Sequence, residues 1–275
     1  MNNFSKVLET FENALFKRLK KEEKSGLLEC LNYAVEGGGK RIRPLLVALV
    51  ADAFDCKFET VMPIAIAIEL IHSYSLVHDD LPCMDNDDLR RGKPSTHIWF
   101  GEGLAVLCGD AMLNLAYEVL LESIPSVNTQ GYLKGIEALA KYAGIRGMVG
   151  GQFTDITRDK LTKEEYIELY SQKTSALLQG ATVAVAYAAG ANAAEISALS
   201  DFALYLGIAF QIQDDIIELT EKADIIEYNY VSVVGAEVAG ADCRAYTDKS
   251  INSLKSVKNN QKLIELANIL LNRVR

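Results

Sequence analysis

The spacing of apolar residues constrains the fold of this chain more than any other feature. Over most of the sequence these residues recur with the 3.6-residue period of an α-helix, and no sustained two-residue alternation appears. Glycine and proline mark the places where one periodic stretch gives way to the next. The pattern predicts an all-α protein with helices over 4–24, 26–36, 42–54, 60–81, 103–123, 130–147, 163–189, 194–221 and 248–273.

The sequence predicts a single domain over residues 1–275, because no linker rich in proline or serine and no fixed repeat divides it. Thr162, followed three residues later by Glu165, predicts a capping box at the start of the helix from 163. Residues 174–194 carry no charge and are long enough to span a bilayer. Small and polar side chains dominate this stretch, so it predicts a buried helix of a soluble protein and no stable membrane insertion.

Composition excludes several classes of function. The chain is 49% apolar and 24% charged, with a net charge of −9, which argues against a general nucleic-acid binder. Its five cysteines form no C-x-x-C pair, so neither a zinc site nor a disulfide framework is expected. The N-terminal stretch is a charged amphipathic helix without the apolar core of a signal peptide. Together these features predict a cytoplasmic protein with reduced thiols.

The first cluster of chemically active residues is the segment VHDDLPCMDNDDLRRGK at residues 77–93. Clustered carboxylates repel one another unless a cation lies between them, and ligand sets made only of oxygen suit Mg²⁺. A solvated acidic loop is the alternative, and this motif alone does not exclude it. The acids are Asp79, Asp80, Asp85, Asp87 and Asp88, and the bases that follow are Arg90, Arg91 and Lys93.

A second pair of aspartates lies late in a long apolar helix, in FQIQDDIIELTE at residues 210–221. Gln211, Asp215 and Glu218 fall within about 60° on one helix face, and Asp214 lies about 40° from Glu218. Acids beside this much apolar surface need a partner or a metal ion. The segment therefore predicts a second acidic site.

Basic residues are concentrated in GGGKRIRP at residues 37–44, which is not a P-loop. The glycines would let the backbone approach an anion, although an exposed helix start with basic side chains is an equal alternative. His72 lies two turns before Asp79 on nearly the same helix face. It is either a core histidine or an anion ligand. Lys173 and Thr174 enter the charge-free helix. The combination of two acidic sites with basic residues favours binding of diphosphates through bridging Mg²⁺.

The chain resembles the trans-isoprenyl diphosphate synthases, and most closely the bacterial farnesyl diphosphate synthases. The resemblance covers about residues 28–235 and rests on EGGGKRIRP, IELIHSYSLVHDDLPCMDNDDLRRGKPSTH, LCGDAML, GMVGGQFTDI, YSQKTSALLQGA, GIAFQIQDD and YVSVVG in this order. It implies a single-domain antiparallel helical barrel around a deep apolar cavity, and a homodimer.

The resemblance also implies a role for each matching residue. Isopentenyl diphosphate is expected at Lys40, Arg43, His72 and Arg91. The allylic diphosphate and the catalytic step are expected at Arg90, Lys173, Thr174 and Gln211. About three Mg²⁺ ions are implied, two at Asp79, Asp80 and Asp85 and one at Asp214 and Asp215. An aromatic residue at Tyr74 implies farnesyl diphosphate as the product.

The sequence leaves three other functions possible. These are a geranylgeranyl diphosphate synthase, a non-catalytic partner subunit of a prenyl synthase, and a terpene cyclase, whose N-D-x-x-S-x-x-x-E pattern is absent. Two departures from the family pattern bear on them. Glu218 stands where the second motif usually ends in aspartate, and the segment between Glu218 and Tyr228 is shorter than usual. Glu227 lies near the position of a family lysine there, with Lys222 as the nearest substitute.

Overall fold

The computed structural model describes residues 4–36, 38–126, 129–158, 160–221 and 228–273, and this part of the chain is helical almost throughout. The all-α prediction is therefore confirmed. Contacts divide the chain into two compact units, one within residues 1–48 and 58–129 and the other within 49–57 and 130–275. Lys222 and Glu227 lie outside the described residues.

In the first unit, α4 and α6 are the long helices and they pack against each other. Apolar residues occur on every side of α4, and Ile64, Ile68 and Ile71 are completely buried, which is the pattern of a core helix. The elements are α1 (Ser5–Leu19), α2 (Leu28–Glu36), α3 (Ile42–Ala53, which continues into the second unit), α4 (Phe58–Asp79), β1 (Leu89–Arg90), β2 (Lys93–Pro94), α5 (Thr96–Phe100) and α6 (Glu102–Ser123).

In the second unit, α11 is the longest helix and packs against α10 and α13. The predicted capping box is confirmed, because the Thr162 hydroxyl accepts from the Glu165 backbone and the Glu165 carboxylate accepts from the Thr162 backbone. The elements are α7 (Thr129–Ala143), α8 (Met148–Thr157), α9 (Lys163–Tyr170), α10 (Ala176–Ala188), α11 (Ala193–Glu221), α12 (Tyr230–Val234), α13 (Ala236–Ser253) and α14 (Gln261–Leu271).

The prediction of one helix over 248–273 is wrong, because the segment is split between α13 and α14. A 3₁₀ turn at Leu254–Ser256 and extended backbone at Val257 interrupt it, and Asn259 adopts a positive φ of 50°. The Asn260 side chain then donates to the Leu254 carbonyl at 2.8 Å, which satisfies a backbone acceptor at the break. The chain is helical throughout the predicted helix over 163–189 as far as Ala188, and a π-helical turn at Ser171–Ser175 separates α9 from α10.

Among the described residues, three helical segments are long and apolar enough to cross a membrane by length and composition alone. They are Phe58–Asp79, Glu102–Ser123 and Ala193–Leu219. The charge-free stretch at 174–194 is not one of them; its helix α10 is largely buried, in agreement with the sequence. All five cysteines are free thiols.

Candidate active site

The first acidic motif begins where α4 ends. α4 stops at Asp79, and the chain then turns back so that the Asp85 backbone N–H donates to the Asp79 carbonyl at 2.9 Å. This turn brings Asp79 and Asp85 together, although five residues separate them in the sequence. Asp85 is exposed, Asp79 is partly exposed and Asp80 is buried. The carboxylates of this motif therefore have different surroundings.

Asp80 is paired with Arg90. The Arg90 Nε donates to Asp80 Oδ1 at 2.8 Å, and a second guanidinium nitrogen bonds the same oxygen. Burial raises the pKa of Asp80, while the Arg90 guanidinium acts in the opposite direction. Arg90 also contacts Asp87 at 3.2 Å. The antiparallel pair β1–β2 supplies this arginine, and Asp80 fixes its direction.

Arg91 is held by the glycine run before α3. Its guanidinium donates to the Gly38 carbonyl, and a Cβ at Gly39 would come within 2.8 Å of it. Gly39 has a positive φ of 139°, a conformation that other residues rarely adopt. Gly39 therefore makes room for the arginine side chain, and Gly38 supplies the carbonyl that it binds.

Arg41, in the centre of the basic motif, is part of the fold. It is 5% exposed and donates to Glu12 and Glu69 at 2.7 Å each and to the Val35 carbonyl at 2.6 Å. Removing one member of such a buried pair leaves an uncompensated charge, so this arginine ties α1 and α4 together. Lys40, next to it, is exposed.

Arg43 and His72 lie in cationic surroundings. Burial lowers the pKa of Arg43 to about 10; Glu69 opposes this shift and Arg91 adds to it. Its buried Nε has no hydrogen-bond partner. Burial also lowers the pKa of His72, and the neighbouring Arg43 and Arg91 lower it further, so His72 is neutral at pH 7. A gathering of cations with an unpaired buried donor is suited to an anion.

A small cavity of about 30 Å³ lies beside these residues in the first unit. Both signs of charge line it, because Asp80 contributes a carboxylate and the β1–β2 pair contributes cations. Its charged lining residues are Asp80, Arg90, Arg91 and Lys93. Asp80 of the acidic motif and the two arginines that follow the motif therefore line the same recess.

In the second unit, a series of polar contacts connects the π-helical turn at Ser171–Ser175 with α8 and α11. Lys173 pairs with Asp155 of α8, and the Thr174 hydroxyl donates to Gln211 Oε1 at 3.0 Å. The Gln211 amide then donates to Asp215 Oδ1 at 3.3 Å, as the helix-face argument predicts. π-Helical turns are frequent at functional sites. This one carries Lys173, which pairs with Asp155, and Thr174, which binds Gln211.

The two aspartates of the second motif differ strongly. Asp215 is 5% exposed and accepts from the Tyr170 hydroxyl and from the Tyr230 backbone at 3.0 Å. Burial raises the pKa of Asp215 to about 6, against the hydrogen bonds from Tyr170, the Tyr230 backbone and Gln211. Asp214 is more exposed and pairs with Arg273 at 2.5 Å. Asp215 thus joins α9, α11 and α12, and Asp214 is the more accessible carboxylate.

Sequence reasoning missed the partners of these residues. Asp155 stood in the quoted segment GMVGGQFTDI, which could have indicated it. Tyr170 and Tyr230 likewise stood in the quoted segments YSQKTSALLQGA and YVSVVG, whereas nothing local pointed to Arg273, which is many residues from Asp214. The Arg273 guanidinium also donates to the Phe210 carbonyl at 2.8 Å and lies 3.7 Å from the Phe210 ring centroid.

The donor set fits Mg²⁺. In the described part of the chain, no group of three or more His, Cys, Asp or Glu side chains could hold a metal ion by itself. Mg²⁺ does not need such a cage, because it retains waters and is bound by one or two carboxylates together with substrate phosphate oxygens. Asp79 and Asp85 supply oxygen donors at one turn, and Asp214 supplies another on α11.

Comparisons with known proteins decide the family. A family profile described as Polyprenyl synthetase matches residues 24–231. The chain belongs to the polyprenyl synthetase family. It is a short-chain trans-prenyltransferase with the all-α isoprenoid synthase fold. Enzymes of this family use isopentenyl diphosphate and an allylic diphosphate, and depend on Mg²⁺.

Individual relatives carry different product names. The chain is 43% identical over 226 residues to a farnesyl diphosphate synthase of Geobacillus stearothermophilus, covering 80% of this chain and 74% of that protein. It is 42% identical over 198 residues to a chloroplastic geranylgeranyl pyrophosphate synthase of Catharanthus roseus, covering 71% of this chain but only 56% of the plant protein. A solved FPP/GFPP synthase of Zymomonas mobilis is 35% identical, with a TM-score of 0.89 and 98% of both chains covered.

Proposed function

We propose that this enzyme joins isopentenyl diphosphate to dimethylallyl or geranyl diphosphate and releases farnesyl diphosphate. The observation that carries the proposal is the recess in the first unit, where Asp80, Arg90 and Arg91 come together beside the turn that joins Asp79 to Asp85. Carboxylates for a metal and guanidinium groups for phosphate oxygens are both needed to hold a diphosphate.

Isopentenyl diphosphate would bind at Lys40, Arg43, His72 and Arg91. The support is electrostatic, because burial and the neighbouring arginines lower the pKa values of Arg43 and His72. An incoming diphosphate would relieve the repulsion between these arginines and accept from the unpaired Arg43 Nε. A neutral His72 could donate one ring N–H to the same anion.

The allylic diphosphate would bind at Arg90, Lys173, Thr174 and Gln211. About three Mg²⁺ ions are proposed, two at Asp79 and Asp85 with Asp80 beside them, and one at Asp214 with Asp215 in support. The pairing of Asp80 with Arg90 and the burial of Asp215 suit supporting roles, since both carboxylates already hold protein donors.

The proposed reaction depends on neutralising the charge of the leaving diphosphate and on orienting the two substrates. Bound Mg²⁺ would neutralise the diphosphate and make it a better leaving group. Arg90 and Lys173 would add positive charge to the departing diphosphate as the allylic carbon–oxygen bond ionises. The residues that hold isopentenyl diphosphate would orient its double bond for attack on the allylic cation. The leaving diphosphate can accept the final proton, so no side-chain base is required.

A geranylgeranyl product is the second candidate, and the 42% identity to the Catharanthus roseus enzyme favours it. One experiment addresses both. The purified protein is incubated with Mg²⁺, radiolabelled isopentenyl diphosphate and geranyl diphosphate, and the dephosphorylated products are separated by reversed-phase chromatography. We expect incorporation of label into farnesol. A twenty-carbon alcohol as the main product would favour the second candidate, and no incorporation would contradict both.

Replacing Arg91 or His72 with alanine is expected to raise the KM for isopentenyl diphosphate more than the KM for the allylic substrate. A lost charge-assisted contact with phosphate costs about 1.5–3 kcal/mol, which corresponds to about 10–100-fold. Steady-state kinetics with each substrate varied in turn would measure the two constants. Equal changes in both would contradict the division of the two binding sites.

We also propose that the enzyme is a cytoplasmic homodimer. In the first unit, α5 and α6 present several large apolar side chains to solvent, and α6 has such residues one turn apart. A second copy would cover them. Light scattering after size-exclusion chromatography is expected to give twice the 30.2 kDa chain mass, and a monomer at micromolar concentration would contradict the proposal. The residues are Ile98, Trp99, Leu104, Leu107 and Leu121.

Residues 1–275 are proposed to act as one catalytic domain. The family match at 24–231 continues without a break from the first compact unit into the second, and proposed substrate ligands occur in both.

A further inference from the structure

His78 directly precedes Asp79, yet the proposed function gives it no role. Its ring lies at the contact between α4 and α6, where Nε2 donates to the Val106 carbonyl at 3.1 Å. A helix carbonyl normally accepts from the backbone four residues later, so this is an additional bond from a side chain to a neighbouring helix. It fixes the His78 ring to α6.

α6 is shaped to receive that ring. Gly109 lies one turn after Val106, and a Cβ at this position would come within 2.1 Å of His78 Nε2 and 2.5 Å of Cδ2. Any side chain at 109 would therefore displace the ring. A glycine inside a helix lowers helix stability by about 1 kcal/mol relative to alanine. α6 therefore carries a locally unfavourable residue at the position where the His78 ring packs.

The ring also contacts Tyr74. Tyr74 lies one turn before His78 on α4, and the two ring centroids are 5.8 Å apart with an interplanar angle of 77°. Edge-to-face packing of this kind is favourable for aromatic rings. Tyr74 is 8% exposed, and burial raises its pKa to about 12, with smaller contributions from Tyr117 and Asp79. The Tyr74 ring is thus packed, and His78 forms one of its walls.

We infer that His78 is a positioning residue for product length: its ring, fixed by Val106 and Gly109, holds Tyr74 where the growing prenyl chain must stop. The inference rests on the proposed product and on the proposed role of Tyr74 as the floor of the chain's cavity. Without the imidazole, the phenol ring loses the contact that holds it across the path of the chain. A longer chain can then displace the ring although Tyr74 is still present.

The test compares His78→Ala with His78→Phe. Alanine removes the ring, whereas phenylalanine keeps a ring against Tyr74 and loses only the bond to the Val106 carbonyl. Products from geranyl diphosphate and excess isopentenyl diphosphate are separated by chain length. We expect a several-fold rise in the twenty-carbon share for His78→Ala and a length near that of wild type for His78→Phe. His78→Asn, which also lacks the ring, serves if the alanine variant does not fold, and the same rise is expected.

A double variant shows whether His78 acts through Tyr74. If it does, Tyr74→Ala/His78→Ala will give the same product lengths as Tyr74→Ala alone, because the residue being positioned is already gone. Further lengthening in the double variant would overturn the inference. The inference would also be overturned if wild type makes farnesyl diphosphate and both His78→Ala and His78→Asn make the same product. In that case the proposed product of the enzyme would still be supported. A wild type that makes mainly the twenty-carbon product would overturn both.

Discussion

Asp79→Asn is expected to lower kcat by about 10²–10³-fold or more, because an interaction that stabilises charge in the transition state is lost. Asparagine keeps the size of the side chain but provides a much weaker metal ligand. Asp79 lies at the end of α4, next to the turn that brings Asp85 back to it, so the substitution changes charge at the proposed Mg²⁺ site with little effect on packing. Steady-state rates over a range of Mg²⁺ concentrations would measure the loss.

Asp88→Asn provides the matched control. Asp88 lies in the same acidic segment, its side chain is exposed, and only its backbone carbonyl has a structural role, accepting from the Ser95 N–H at 2.9 Å. We expect near-normal activity and Mg²⁺ dependence for this variant. Equal losses for both variants would indicate a general effect of negative charge, and near-normal turnover of Asp79→Asn would refute the metal assignment.

Tyr74→Ala is expected to change the main product from fifteen to twenty carbons or more. The growing chain would extend along α4 from the diphosphate, and Tyr74 lies about 7.5 Å before Asp79 at 1.5 Å per residue. Its ring is buried, so a longer prenyl chain cannot pass without displacing packed atoms. Alanine removes the ring and opens that path. Chromatography of the dephosphorylated products would measure the change.

Tyr74→Phe separates the ring from its hydroxyl. Phenylalanine preserves the edge-to-face contact with His78, so we expect farnesyl diphosphate to remain the main product. If Tyr74→Ala still makes only the fifteen-carbon product, the floor of the cavity is formed by other residues. If both variants lengthen the product, the hydroxyl rather than the bulk of the ring limits the chain.

Local signals in the sequence determined much of this protein. Apolar spacing predicted α4, α6 and α11, and the capping box at Thr162 fixed the start of α9, because each depends on residues within one or two helical turns. The same holds for the face shared by Gln211 and Asp215, which follows from helix geometry and is seen as a hydrogen bond of 3.3 Å. The order of the motifs also sufficed to indicate the family, which the profile match confirms.

Prediction from spacing failed where a break depends on contacts that the pattern does not contain. Residues 248–273 keep an apolar period across the end of α13, but the turn at 254–260 is stabilised by the Asn260 side chain on the Leu254 carbonyl. Asparagine is compatible with either a helix or a turn, so periodicity alone could not separate the two.

Only the tertiary structure decided which charged residues are buried and paired within the fold and which are not. Arg41 and Arg43 are two residues apart in one motif, yet Arg41 is saturated by Glu12 and Glu69, whereas the Arg43 Nε has no partner. Asp214 and Asp215 are neighbours, yet Asp215 is buried against Tyr230, whereas Asp214 is more exposed and pairs with Arg273. The physical reason is that desolvation and pairing depend on residues brought together from distant parts of the chain. The local spacing of residues does not predict these partners.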